Sequence, residues 1–194
     1  DIILTVSDGT ATASESLTLT VNPVNDLPSI SQVASQEIKE DTSTETITLR
    51  IEDDETEAIN LTLTASSDNP VLVPQTSIVL GGQDKKRSVQ VTPANNQTGE
   101  ATITLTVSDD AASTSESFAV TVNAVNDLPT IGEVPDQMVD EDTTTRPLAV
   151  RIADVETAPE ALKLSATSLN RALVPDSNIL LQGSGRNRTV TLNP

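Results

Sequence analysis

The residues best suited to chemistry are carboxylates with neighbouring side-chain amides: Asn25 with Asp26, Asp53 with Glu55, Asp109, Glu40, Asn126 with Asp127, and Asp154 with Glu156. Little else in the chain is reactive. Its 194 residues contain no His, Cys, Trp or Tyr, and 29 Asp and Glu against 11 Lys and Arg leave a net charge of −18. The missing types remove His-based triads, thiol nucleophiles, thiolate or imidazole metal sites and disulfides together. Such an acidic balance repels phosphate backbones, so no nucleic-acid partner is expected. Phe118 is the sole aromatic, leaving no stacking platform for bases and almost none for sugar rings. Carboxylates, amides and hydroxyls suit a hard cation, calcium before magnesium, because calcium takes about 6 to 8 oxygen ligands. Paired carboxylates also serve glycoside hydrolysis. Here no aromatic lines a substrate groove and the acidic groups recur along the chain, so a joint is expected and an enzyme is not.

The elements that must position these groups are written in a repeat. Val-Asn-Pro-Val-Asn-Asp-Leu-Pro at 21–28 returns as Val-Asn-Ala-Val-Asn-Asp-Leu-Pro at 122–129, an offset of 101 residues. Sliding by that offset lays 1–93 over 102–194 without a gap and with about half the positions identical. A period this long marks tandem domains, since solenoid repeats run to roughly 20–50 residues. Within each unit the hydrophobic period is two, as in Leu17, Leu19 and Val21, Ile47, Leu49 and Ile51, and Ile103, Leu105 and Val107. Each run predicts a strand with one buried face, its outer face rich in strand-favouring threonine. No run of apolar residues is long enough to span a membrane, so no membrane insertion is expected.

Seven strands, A to G, are expected in the middle unit at 30–38, 46–51, 60–66, 77–80, 87–92, 101–108 and 116–123. That is the count of a β-sandwich. Asp8-Gly9, Gly81-Gly82 and Asn95-Asn96 supply turn chemistry between the runs. Phe118 falls on the inward face of strand G, and Lys85-Lys86-Arg87, the only basic run, reads as a solvated hairpin tip.

Alternating strand direction sorts the loops. The entering linker, the B–C loop and the F–G turn share one end, so Asn25, Asp26, Asp53, Glu55 and Asp109 are expected to meet there. Carboxylates brought together repel one another, and calcium is the expected remedy. At the other end Glu40 and Asp41 face the following linker, Asn126 and Asp127, and Asp154 and Glu156 of the next unit complete a second calcium junction. Asp54 becomes Val155 in the other copy and is left out, while Asp110, which matches Gly9, is weaker than Asp109. The expected division is 1–25, strands F and G of a preceding repeat; 26–126, a complete repeat; and 127–194, strands A to E of a following, truncated repeat. The two fragments are complementary halves. They are expected either to pair between chains or to belong to a longer array.

Asn25-Asp26-Leu27-Pro28, Asn126-Asp127-Leu128-Pro129, Glu40-Asp41-Thr42, Asp53-Asp54-Glu55 and Val107-Ser108-Asp109 resemble the cadherin-like, immunoglobulin-like tandem repeats of large bacterial surface and secreted proteins. The resemblance implies an all-β fold of Ig-like (cadherin-like) seven-stranded sandwiches joined head to tail, Ca2+ at the junctions, and an extracellular or cell-surface spacer or adhesive stalk. Its partners would be neighbouring repeats. The alternative expectation is a binding module for carbohydrate or for another copy of itself, using an exposed sheet of threonines. A binding face should differ between repeats or carry aromatics, and these copies are alike.

Overall fold

The computed structural model describes residues 1–194 and contains strands, two short 3-10 turns and no α-helix. It divides into two compact units, residues 1–123 and 124–194.

The first unit opens with an antiparallel hairpin, β1 (Ile2–Ser7) and β2 (Thr12–Leu17), with Ile2 opposite Leu17. A sandwich follows, built from β3 (Ser29–Ile30), β4 (Gln36–Lys39), β5 (Ile47–Glu52), β6 (Thr62–Ser67), β7 (Ile78–Gln83), β8 (Lys86–Val91), β9 (Gly99–Ser108) and β10 (Ser113–Asn123). Its two sheets have the orders β3-β5-β8-β7 and β4-β10-β9-β6. The single strand expected at 30–38 is split: β3 pairs antiparallel with β5, and β4 crosses over to pair parallel with β10. The intervening segment keeps Val33 buried in the core, so one apolar side chain anchors the chain as it changes sheets.

Period-two patterning does its work here. Ile51, Val89 and Val91 from one sheet meet Ile103, Leu105, Val107 and Val120 from the other, all of them fully buried. Each such side chain contributes about 1.5–3 kcal/mol on burial. Phe118 stands opposite Ile103 on the inward face, as expected. Thr44 is a buried polar exception: its hydroxyl accepts from the Val91 N–H at 3.0 Å while its own N–H donates to the Val91 carbonyl at 2.9 Å. Both of its groups are thereby satisfied, as burial requires. One turn expectation moves. Gly81 and Gly82 lie inside β7, opposite Ser88 and Arg87, and the hairpin turns at Asp84-Lys85, where Asp84 has a φ of 51°.

The second unit is one four-stranded sheet, β11 (Thr130–Ile131), β12 (Leu148–Ala153), β13 (Ile179–Ser184) and β14 (Asn187–Leu192), in the order β11-β12-β14-β13. That order repeats β3-β5-β8-β7. Four strands form where A to E were expected. Residues 163–168, the counterpart of β6, are irregular, as are 137–140, the counterpart of β4. Their sequences suit strands, but β6 and β4 are held by β9 and β10, which have no counterpart within 124–194. Likewise β2 stops at Leu17, whereas β10 runs on beside β4 to Asn123.

Candidate functional site

The predicted residues of the first junction meet at one end of the sandwich. The Asn25 side-chain amide donates to Asp109 Oδ2 at 2.8 Å and to the Asp26 carbonyl at 2.7 Å. The Asp26 N–H donates to Glu55 Oε2 at 3.1 Å. The entering linker is therefore latched both to the β9–β10 turn and to the β5–β6 loop, the two places that strand alternation selects. Asp53 supports the latch from below: its Oδ1 accepts from the Glu55 N–H at 3.1 Å and the Thr56 N–H at 2.7 Å, closing the loop on itself. Its other oxygen, Oδ2, is buried without a hydrogen-bond partner.

Asp109 holds its own turn through Oδ1, which accepts from the N–H groups of Ala111 at 2.8 Å and Ala112 at 2.6 Å. Asp110 beside it has a φ of 75° and its counterpart Gly9 a φ of 92°. Asp and Gly tolerate that left-handed conformation better than most residues, which accounts for the exchange.

The Ala112 N–H bond first, then the Asn25 amide, hold the Asp109 carboxyl below the usual carboxylate range. A depressed folded pKa means stability that is present above the unfolded pKa and lost as pH falls through the folded value. The Asn25–Asp109 bond should thus survive mild acid and release only below the ordinary Asp range, near 3.9. NMR titration of the Asp109 carboxyl checks this. A midpoint at or above that range would contradict it.

The second unit repeats the geometry. The Asn126 amide donates to the Asp127 carbonyl, the Asp127 N–H donates to Glu156 Oε2 at 3.0 Å, and Asp154 Oδ1 accepts from the Thr157 N–H at 2.7 Å. No counterpart of Asp109 lies within it. Glu40 sits apart from the first latch, buried after β4, its N–H donating to the Asn123 carbonyl at 2.9 Å. Asp41 is a left-handed turn residue whose Oδ1 accepts from the Asn96 N–H, and Asp142 has the same conformation. No three acidic side chains are gathered into a cage for an ion.

Arg87 departs from its expected role. Instead of ending in solvent, its guanidinium is partly buried and donates to the carbonyls of Ala58 at 2.8 Å and Leu61 at 3.3 Å. It thereby pins β8 to the loop that carries Asp53 and Glu55. Arg188 makes the same pair of bonds, to Pro159 and Leu162. The signal was in the repeat: Arg87 recurs as Arg188, while Lys86 becomes Asn187.

The sequence profile of the bacterial Ig domain matches residues 25–123, the stretch that folds as the two-sheet sandwich. The chain belongs to the bacterial Ig domain family. No curated protein sequence matches it. Among solved structures, this bacterial Ig chain is similar to the titin Z1Z2 domains in complex with telethonin, at 12% identity over 88% of this chain and 83% of that one, with a TM-score of 0.41. It is also similar to domains 4 and 5 of the S-layer protein SbsC, at 15% identity over 59% of each chain and a TM-score of 0.39. An endo-fucoidan hydrolase of glycoside hydrolase family 107 aligns at 18% identity over 99% of this chain but 29% of its own length, with a TM-score of 0.41. The Ig-like, all-β character of the chain is compatible with a structural or adhesion-type module.

Proposed function

We propose that this chain is a non-enzymatic spacer segment of a bacterial extracellular protein, a run of Ig-like β-sandwich units in tandem, each locked to the linker that enters it. The observation that carries this reading is the recurrence of one bond: the linker N–H donates to the loop glutamate at Asp26–Glu55 and again at Asp127–Glu156. A joint repeated in consecutive units serves the array, where a ligand site would serve one unit. The outer threonines also favour a spacer over a carbohydrate or homophilic binding face. Thr104 bonds Ser117 and Thr106 bonds Ser115 across the strands, so these hydroxyls are engaged with each other.

Calcium is part of the proposal. The donor set around the latch is oxygen throughout, and Asp53 Oδ2 is buried with nothing to bond. A cation drawn to Asp53 and Glu55 on the β5–β6 loop would neutralise that pair of carboxylates and tighten the loop that holds the linker, while Asp109 keeps the Asn25 amide. The glutamate and aspartate pair of the second unit would act likewise.

Small-angle scattering of the 194-residue chain in calcium and in excess chelator tests this. Chelation should shorten the particle and broaden its distance distribution. Calcium should also raise stability by about 1.4 kcal/mol at tenfold excess over Kd. Asp53→Ala is a poor probe, because Oδ1 already caps two N–H groups. Asp53→Asn keeps that acceptor and should lose most of the calcium increment alone. Identical scattering curves and melting temperatures with and without calcium would overturn the calcium part.

A further inference from the structure

We infer that the outer face of the β3-β5-β8-β7 sheet is a binding surface for an anionic polysaccharide, whose acidic groups are held by Arg50, Lys85 and Lys86. Cations are scarce in this chain, 11 Lys and Arg against 29 Asp and Glu. Yet three of them converge on one shallow groove of about 290 Å3, which they line with Ser31, Thr48 and Leu49. A second groove of about 280 Å3 shares Thr48 and Lys86 and adds Gln83 and Ser88. The two are continuous through these shared residues across β5, β8 and β7, and no acidic residue lines either. This surface belongs to the complete sandwich, on the side of the sheet away from the core residues Ile51, Val89 and Val91.

Strand pairing fixes the layout. Arg50 stands directly opposite Lys86, Lys86 opposite Gln83, and Thr48 opposite Ser88. Ser31 lies beside Arg50, whose N–H donates to its Oγ at 3.0 Å. Like charges opposite one another on a sheet, with Cβ atoms about 4.5–5.5 Å apart, are destabilising. Glu52 answers part of this charge, bonding Arg50 at 2.9 Å and Lys85 at 3.2 Å, but Lys86 has no ion pair. An anionic group bridging Arg50 and Lys86 removes the repulsion. The hydroxyls of Ser31, Thr48 and Ser88 and the Gln83 amide, set beside the cations, match the hydroxyls of a sugar chain. With no aromatic ring on this face, charge must orient the ligand, which selects acidic over neutral glycans, and nucleic-acid bases find no stacking platform. A second copy, of net charge −18, would bring its whole repulsive surface, whereas a polysaccharide strand meets the groove alone. The face also differs between the two units. Ser31, Thr48 and Lys86 become Gly132, Ala149 and Asn187, with only Arg151 and Arg186 keeping the charge of Arg50 and Lys85. The core positions Leu49, Ile51 and Val89 stay apolar as Val150, Ile152 and Val190. A surface that joined repeats would recur, and this one is particular to its unit.

Titration of the full chain at low salt and in excess chelator with polygalacturonate, dextran sulfate, neutral dextran and single-stranded DNA provides the test. The chain should bind polygalacturonate, dextran sulfate or both, the choice telling carboxylate from sulfate, and should leave neutral dextran alone. Lys86→Asn and Arg50→Gln each remove a charge-assisted contact and should weaken binding by about tenfold. Both side chains are exposed, so the variants should melt with the wild type. Lys39→Gln removes an exposed cation of the same unit outside the grooves and should bind as the wild type does. Failure to bind either anionic polysaccharide overturns the inference. An equal loss in Lys39→Gln would mean attraction to charge in general, and equal binding of neutral dextran or of DNA would mean a site that does not select acidic sugars; each overturns it. Concentration-dependent growth in mass of the chain alone, lost in Lys86→Asn, would assign the face to a second copy and overturn it too. The spacer reading is tested by calcium-dependent shape and this surface by binding in chelator, so failure of one leaves the other standing.

Discussion

Phe118→Ala is expected to destabilise the 25–123 sandwich by about 3–5 kcal/mol, the range for emptying a large buried site that cannot collapse. The site is 3% exposed and sits between strands of a core otherwise built from Val, Leu, Ile and Ala. Branched aliphatic side chains on a pleated sheet have few rotamers with which to refill a hole. At roughly 4–8 °C per kcal/mol for a domain of this size, the melting temperature should fall by more than about 12 °C. Phe118→Leu is the calibrating variant. The other copy holds Leu17 at this position, and a partial refill should cut the loss to about a third. Urea denaturation of both variants measures the difference. A loss below about 1 kcal/mol for the alanine would mean that the β9 and β10 faces close over the cavity.

Much of this was legible because strands announce themselves by alternation. Ile103, Leu105 and Val107 face inward as their spacing requires, and loop sorting by strand direction put Asn25, Asp26, Glu55 and Asp109 at one end. What was illegible depended on partners. Lys-Leu-Ser-Ala-Thr-Ser at 163–168 is as good a strand sequence as Thr-Leu-Thr-Ala-Ser-Ser at 62–67, yet only the latter has β9 beside it. Propensity cannot report whether a neighbour is present. The split of the first strand was hidden for the same reason: β3 and β4 read as one run, and their sheets differ because β5 takes one and β10 the other. The site was half legible. Composition counted the carboxylates, but it did not show that backbone and amide N–H groups answer them, with Asp53 spending one oxygen on its own loop. A basic run looks solvated as a block, but only Lys85 and Lys86 are exposed, whereas the Arg87 guanidinium reaches the Ala58 and Leu61 carbonyls.

Gly82→Ala is expected to cost about 2–4 kcal/mol, the sum of a left-handed backbone penalty and a clash that must be relieved by moving a strand. Gly82 has a φ of 79°, and a Cβ there would lie 2.4 Å from the Lys86 carbonyl oxygen and 2.8 Å from the Arg87 Cα. Both obstacles are backbone of the paired strand, so no rotamer relieves them. Gly183 meets the same obstacle, at 2.5 Å from the Asn187 carbonyl oxygen with a φ of 95°. The neighbouring glycine is the control. A Cβ on Gly81 meets the Ser88 hydroxyl at 2.9 Å, which can rotate away, and the other copy carries Gln182 there. Gly81→Ala should therefore cost less than about 1 kcal/mol. The difference reaches the linker, because the displaced backbone belongs to Arg87, whose guanidinium holds the Ala58 and Leu61 carbonyls of the loop bearing Glu55. Loosening that loop frees the Asp26 N–H, so its hydrogen exchange should accelerate in Gly82→Ala and not in Gly81→Ala. Equal exchange and equal stability in the two variants would show that Arg87 does not transmit strand register to the latch.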